Sequence, residues 1–487
     1  MRKRNSSKAN LGSLANPQRP TPEEVLTRRE LLRRLMIATG GLAAYPLLSS
    51  CAPAATPQPA AAPTATPQPA AVEPTATPQP AAPTNTPPPE PAGLTGAVET
   101  WSPDTRDDAL ASEKWWDEAF MKANSGVEVK QLTVPYGDDT TKLKAGHESG
   151  EVPDIIWAYG DFLFSYGVDG LAQPVTDLVG EIGQDRFLQG ALNGIAIEGT
   201  YYSIPFVGFP FFIYYRKDIY EELGLKPPTT HEEFLKNIEA THKAPDIYGY
   251  VLTNQAISDT WNLKTAMWTH GAYFFDEKDE LALDRPETLA AWSYYKELGK
   301  WSPPGSMAQS DLESRALMVD GKVAHMFTTT SFAANFTKEN IDKFGAFLYP
   351  SKPGAKGASL DFYGLVIPAK AKQPKLAAEM IKFLLEPANF QEYLARTVVG
   401  WVPMLADAYN DQYFNNERIA FVKEFVDIGG KAAANGVVGS GYFGPSKKAS
   451  VLVSTDIEKQ IGDRLVVNDE SPEDVLKFAL DTIKAEL

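Results

Sequence analysis

From Val98 onward the chain alternates short apolar runs with longer stretches in which apolar residues recur at helical spacing. "AVETWS" reads as a strand, and "ALASEKWWDEAFMKANSG" reads as a helix with Leu110, Trp115 and Phe120 on one face and Asn124 and Gly126 at its end. "VEVKQLTVPY" predicts the next strand, "DDTTKLKAGHESGEV" a helix, and "PDIIWAY" a buried strand. Strands alternating with helices at this spacing predict an α/β sheet with helices on its faces. Ligands of such sheets gather beyond the strand C-termini, which places "TWSPDTR" and "AYGDF" beside one crevice. Trp115, Trp116, Phe120, Trp292 and Tyr295 fall at helical spacing and are assigned to the core, as is Trp157 inside an apolar strand.

The first ninety residues follow a different pattern. Residues 1–34 hold nine Lys or Arg against Glu23, Glu24 and Glu30, and the apolar run "LMIATGGLAAYPLLSS" follows. That run is shorter than the ~20 residues of a membrane span and is broken by glycine and proline. A basic region, a modest apolar region and small residues together predict an export signal over residues 1–50. "TRRELLR", with Arg28 and Arg29, resembles the twin-arginine signal. "LSSC" at Leu48–Cys51 resembles the bacterial lipobox, which would make Cys51 a lipidated N-terminus and anchor the chain to the outer face of the cell membrane. A buried structural thiol is the alternative for a lone cysteine, but no core-forming sequence surrounds this one. "TPQPAA" recurs at Thr56, Thr66 and Thr77, so residues 51–95 read as a tether without a core, biased to polyproline II and reaching roughly 130 Å if extended.

Length and charge narrow the functional classes. A chain of 487 residues, 43% hydrophobic, has material for one large or two medium cores. A net charge of −16 argues against a nucleic-acid partner. One cysteine excludes an intramolecular disulfide and a cysteine-rich zinc site, and no cofactor or metal is expected. The five histidines form no HExxH or triad-like motif and there is no GxSxG elbow, so the chain does not read as an enzyme.

"VPYGDDTTKLKAGHESGEVPDIIWAYGDFLFSYGVDGLAQPV", "GTYYSIPFVGFPFFIYYRKDIYEELGLKPPTTHEEFLKNIEAT" and "GLVIPAKAKQPKLAAEMIKFLLEP" resemble the extracellular solute-binding proteins of ABC importers, in the group that includes maltose-binding protein. The resemblance covers about Gly96 to Leu487. It implies a monomeric two-lobe clamp of the type II-like periplasmic-binding-protein fold, each lobe a mixed sheet flanked by helices, that closes on its ligand by hinge motion. Lobe 1 would comprise residues 96–206 and about 366–405, and lobe 2 residues 207–365 and about 406–487. Crossings are expected near Pro205–Gly208, near Tyr363–Ile367, and between Trp401 and "FNNERIAFVKEFV".

Sugar sites pair flat aromatic platforms with planar side chains that make two hydrogen bonds. The resemblance assigns to such a site Trp101 and Asp104, followed by Arg106, in the first loop, and Tyr159 and Asp161 after "PDII". It adds Asp259 and Trp261 in "SDTW", Thr329 and Ser331 in "HMFTTTSF", Asp361 and Tyr363 at a crossing, and Trp401 in "GWVP". Tyr442 and Phe443 complete the set in "SGYFGPS", ahead of a long helix beginning near Ser446. Phe162 stands where maltodextrin binders have Arg, and Thr330 and Ser331 where many members have a stacking Trp. The expected function is capture of a neutral saccharide for delivery to an ABC permease. A sensory lipoprotein would share every site residue, and a secreted glycoside hydrolase would need two carboxylates flanking the bond.

Overall fold

The computed structural model describes residues 93–487 except 136–137, 160–161, 256–258 and 440. The export-signal segment, Cys51, the tether before residue 93 and Asp161 lie outside the described residues. Along the chain run β1 (Thr95–Ser102), α1 (Asp107–Ala123), β2 (Gly126–Thr133), α2 (Asp138–Ser149), β3 (Ile155–Tyr159), β4 (Ile204–Gly208) and β5 (Phe211–Arg216). There follow α3 (Trp261–His270), α4 (Pro286–Lys300), α5 (Asp311–Val319), β6 (His325–Thr329), β7 (Phe344–Phe347), β8 (Phe362–Val366), α6 (Pro374–Leu385), β9 (Val402–Pro403), α7 (Lys423–Asn435) and α8 (Ile457–Val466). Among the described residues no helix is long and apolar enough to cross a membrane.

Two sheets organise these elements. The larger has the order β9-β4-β8-β3-β1-β2, with β1 parallel to β2 and β3, and β8 antiparallel to both β3 and β4. The smaller, β6-β5-β7, is antiparallel, and parallel bridges Tyr248↔Val323 and Val251↔Met326 continue the chain beside it. Both are covered on two faces. In β5, Phe211, Ile213 and Tyr215 enter one hydrophobic core while Phe212 and Tyr214 enter the other. A strand buried on both sides needs no polar alternation, which is why "FFIYY" is uniformly apolar. Phe425 of α7 stacks on Tyr214 with ring centroids 5.2 Å apart, so α7 closes one face of the small sheet.

The large-sheet core centres on Trp157, whose ring lies 4.9 Å from Phe206 and 6.4 Å from Trp116. Trp116 Nε1 donates to the Met380 carbonyl at 3.1 Å, which ties α1 to α6. The buried face of α1 is one position away from the apolar reading. Ala109, Ser112, Glu113, Trp116, Asp117 and Phe120 are buried, whereas Leu110 and Trp115 are only half-buried. Polar Ser112, Glu113 and Asp117 occupy inward positions, so apolar periodicity alone rotated the helix. Near the C-terminus, the long helix expected from Ser446 is instead a short turn of helix at Ser450–Ser454 followed by α8. Asp456, at φ 51°, adopts the left-handed conformation and breaks the run.

The chain passes from the large sheet to the small one at Phe209 and Pro210, and returns at Asp361 and Phe362. These junctions lie a few residues from the expected ones, because "IPFVGFPFFIYY" is apolar throughout and carries no polar punctuation at the break. The crossing segments hold each other: Phe209 N donates to Asp361 O at 2.8 Å, and Thr330 N to Pro210 O at 3.1 Å. A Cβ at Gly208 would lie 2.7 Å from Phe362 Cβ, so these strands approach as closely as they do only because residue 208 has no side chain.

Candidate functional site

Where the crossings meet, the ends of both sheets border an open cavity of about 210 Å³ lined by Arg106, Tyr159, Phe209, Phe211, Trp261, Asp311, Arg315, Thr329, Ser331, Asp361, Tyr363 and Trp401. Strand β3 ends at Tyr159 and β6 at Thr329, so the cavity lies beyond strand C-termini, as expected for sheets of this kind.

The large-sheet wall is aromatic. Tyr159 and Tyr363 are directly paired across β3 and β8, with ring centroids 5.9 Å apart, and both rings contact Phe209 at 5.7 Å. Trp401 adds an edge contact to Tyr363 at 5.1 Å. Cross-strand aromatic pairs of this kind stiffen a surface as well as burying it. Arg106 reaches this wall from the loop after β1. Its Nε donates to Asp104 Oδ1 at 2.9 Å, its Nη2 pairs with Oδ2, and its guanidinium carbon lies 4.7 Å from the Trp401 ring centroid. Burial opposes the charge on Arg106, but the Asp104 carboxylate more than restores it, so the guanidinium titrates above its ordinary value.

The small-sheet wall is built from α3, α5 and the ends of β5 and β6. Trp261 opens α3 and packs on Phe211 at 5.2 Å. Arg315, with 11% of its side chain exposed, donates from Nε to Asp311 Oδ2 at 2.9 Å, from Nη1 to Ser331 at 3.3 Å, and from Nη2 to Thr328 at 3.1 Å and Thr329 at 3.0 Å. The Thr329 and Ser331 hydroxyls also bond each other at 2.6 Å. Each wall therefore offers an arginine already neutralised by its own aspartate, hydroxyl-rich edges and flat rings. This chemistry suits a neutral ligand with many hydroxyls and apolar C–H faces.

Of the residues singled out from the sequence, Tyr159, Trp261, Thr329, Ser331, Asp361, Tyr363 and Trp401 meet at this cavity. Asp104 and Asp259 stand behind it: Asp104 holds Arg106, and Asp259 Oδ1 accepts from Asp311 N at 3.2 Å. Trp101 is packed into the large-sheet core, 7% exposed, with its Nε1 donating to Glu99 at 2.8 Å. Tyr442 and Phe443 line a different cavity of about 280 Å³, where both rings pack on Tyr273 and the Tyr442 hydroxyl accepts from Lys356 N at 3.2 Å. Phe209, Phe211, Asp311 and Arg315 are additions from the structure. The phenylalanines sit in a continuous apolar run, and Asp311 and Arg315 are an i, i+4 pair of the kind that decorates any solvated helix. Among the described residues no group of three or more His, Cys, Asp or Glu is placed to hold a metal ion.

Comparison with known proteins places this geometry. An arabinooligosaccharide-binding protein of Halalkalibacterium halodurans is 25% identical over 409 residues, spanning 79% of this chain and 87% of its own. A mannitol-binding protein of Pseudomonas aeruginosa is 27% identical over 267 residues, 51% of this chain and 60% of its own. The structure of the sugar-binding protein MalE from Xanthomonas citri superposes with a TM-score of 0.68 at 16% identity, covering 80% of this chain and 98% of that one, and so shares the two-lobe fold. Residues 115–421 match the family described as bacterial extracellular solute-binding protein, and the chain belongs to that family.

Proposed function

We propose that this chain is the substrate-binding component of an ABC importer and that it captures a neutral carbohydrate in the cavity between its two sheets. The observation that carries this reading is the cavity's composition: rings from both sheets, and two arginines each compensated by its own aspartate before any ligand arrives. Relatives named for arabinooligosaccharide and mannitol binding support the ligand class. A ligand that touches both walls binds the closed arrangement more tightly than the open one, and that difference drives closure. Lobe 1 would hold residues 96–206 and about 366–405, and lobe 2 the remainder of the fold. The closed lobes would present one surface to the permease.

We further infer that the mature chain is a monomer tethered outside the cell membrane through lipidated Cys51 and the Pro-rich segment, which keeps the receptor at high local concentration near its permease. Titration of the residue 93–487 portion with a panel of mono- and oligosaccharides and alditols, followed by tryptophan fluorescence and melting temperature, tests the ligand class. A saccharide is expected to shift both signals. A panel without response, beside a clear response to peptides or polyamines, would overturn it. For the anchor, Cys51→Ala is expected to release the protein from membranes with ligand affinity unchanged, and retention on the membrane would count against lipidation.

A further inference from the structure

Lys264, one turn into α3, has only 3% of its side chain exposed. Its Nζ lies 3.3 Å from Oε2 of Glu458, itself 2% exposed, in the first turn of α8. Thr260 Oγ1 donates to the same carboxylate oxygen at 2.8 Å. The Lys264 ammonium is also 4.0 Å from the centroid of the Trp261 ring, the ring that lines the cavity and packs on Phe211. A buried ion pair of this kind is not required for stability, since well-packed apolar residues commonly serve as well or better. Its position is what distinguishes it. Glu458 grips Thr260 and Lys264, the residues on either side of Trp261 along the first turn of α3, while Asp259 at the same helix end receives the Asp311 N–H and so fixes the start of α5, which carries Arg315.

We propose that the Lys264–Glu458 pair positions the small-sheet half of the ligand site: it sets the plane of the Trp261 ring and, through the α3 N-terminus, the height at which α5 presents Arg315. Neither residue touches the cavity. Both act through Trp261 and Asp259. The proposal rests on the reading of this cavity as the ligand site, but the position of Trp261 can be measured without any ligand.

The test compares the wild-type chain with Lys264→Met/Glu458→Leu, which replaces both charges by apolar groups, and with Glu458→Gln, which retains a hydrogen-bond acceptor for Thr260. In each, the Trp261 contribution is isolated as the difference from the same protein carrying Trp261→Phe. Without ligand, the variants are expected to show a red-shifted Trp261 emission and a higher acrylamide quenching constant for Trp261, at a melting temperature close to wild type for the double variant. Saccharide affinity is expected to fall roughly two- to thirtyfold, the range spanned by one cation–π contact. A folded variant whose Trp261 emission and quenching match wild type overturns the proposal. If the double variant does not fold, Glu458→Gln decides by the same ligand-free measurement. Mobilised Trp261 in the variants together with a saccharide panel that is silent on the wild-type protein would sustain the positioning role and count instead against the carbohydrate reading.

Discussion

The Arg106 guanidinium covers the Trp401 ring at 4.7 Å while Nε and Nη2 along one of its edges both pair with the Asp104 carboxylate. One side chain thus ties the loop after β1 to the aromatic wall before β9 and compensates a carboxylate that is only 6% exposed. Replacing Arg106 by Ala removes the ring contact and leaves Asp104 buried without this partner. We expect a loss of about 1–3 kcal/mol in stability and a fall in ligand affinity of about tenfold. Arg106→Lys should recover little of either, because an ammonium cannot hold the two carboxylate oxygens and the ring face together. Urea unfolding and calorimetric titration separate the two effects, and full recovery by lysine would show that only the charge matters.

Arg315 gives the complementary expectation on the opposite wall. Its guanidinium unites Asp311 on its own helix with Thr328, Thr329 and Ser331 at the end of β6. Arg315→Met keeps the stem but removes every one of these bonds, so the Thr329 and Ser331 hydroxyls lose their fixed orientation. Affinity for the saccharide is expected to drop more than tenfold, with destabilisation of about 1–3 kcal/mol. Arg315→Met protein that binds the ligand as wild type does would exclude this wall from the contact surface.

A third expectation concerns Gly400, where the turn before β9 packs on the turn after β6. Its φ is +89°, and a Cβ added there would lie 2.4 Å from Thr330 O, so the turn that follows β6 leaves no room for a side chain. Gly400→Ala must both adopt the left-handed backbone and displace Thr330, at a cost of about 1–3 kcal/mol. Because Thr330 lies between Thr329 and Ser331, the displacement should also weaken ligand binding. Equal stability and affinity in Gly400→Ala would mean that this junction yields without consequence.

Much of this was legible from residue order. "PDIIWAY" and "HMFTTTSF" read as strands ending beside a loop, and the resemblance assigns Tyr159, Thr329 and Ser331 at those ends to the site; all three line the cavity. Trp261 and Trp401, assigned by the same resemblance, have Gly, Pro or polar neighbours, as a loop-facing ring does. Trp101 shares their polar and Pro neighbours, yet at the end of β1 its side chain alternates inward to the core. Tyr442 and Phe443 have the right chemistry, but which of two cavities a loop faces is set by tertiary packing that no local pattern records. Phe209 and Phe211 were hidden for the opposite reason: a crossing made of two doubly buried strands leaves no polar break to mark its middle residues.

The last expectation concerns pH and arises beneath Arg106. Glu113 lies buried under the site, accepting from Ser102 Oγ at 2.7 Å and paired with Gln131, and Asp117 is buried one turn along the same helix. Burial pushes Glu113 from 4.5 up to about 8, reinforced by Asp104 and Asp117 and opposed by the Ser102 hydrogen bond and Arg106. Burial, with Glu118, pushes Asp117 from 3.8 up to about 7. A carboxyl group raised by folding contributes stability that is complete below its unfolded pKa and is lost as pH rises through its folded pKa. Three buried histidines have the opposite sense: His231 is lowered to about 3, and His270 and His325 to about 4, in each case chiefly by burial. Their contribution is complete above about 6.5 and is lost as pH falls through those values. Between about pH 6.5 and 8 the histidines are therefore silent and the carboxyl groups alone set the slope, so stability should decline as pH rises, by at most about 1.4 kcal/mol per pH unit for each group. Glu113→Gln keeps the acceptor for Ser102 without a titrating proton and is expected to flatten this decline in the free energy of urea unfolding. An unchanged slope in Glu113→Gln would show that Glu113 is ionised in the folded protein across this range.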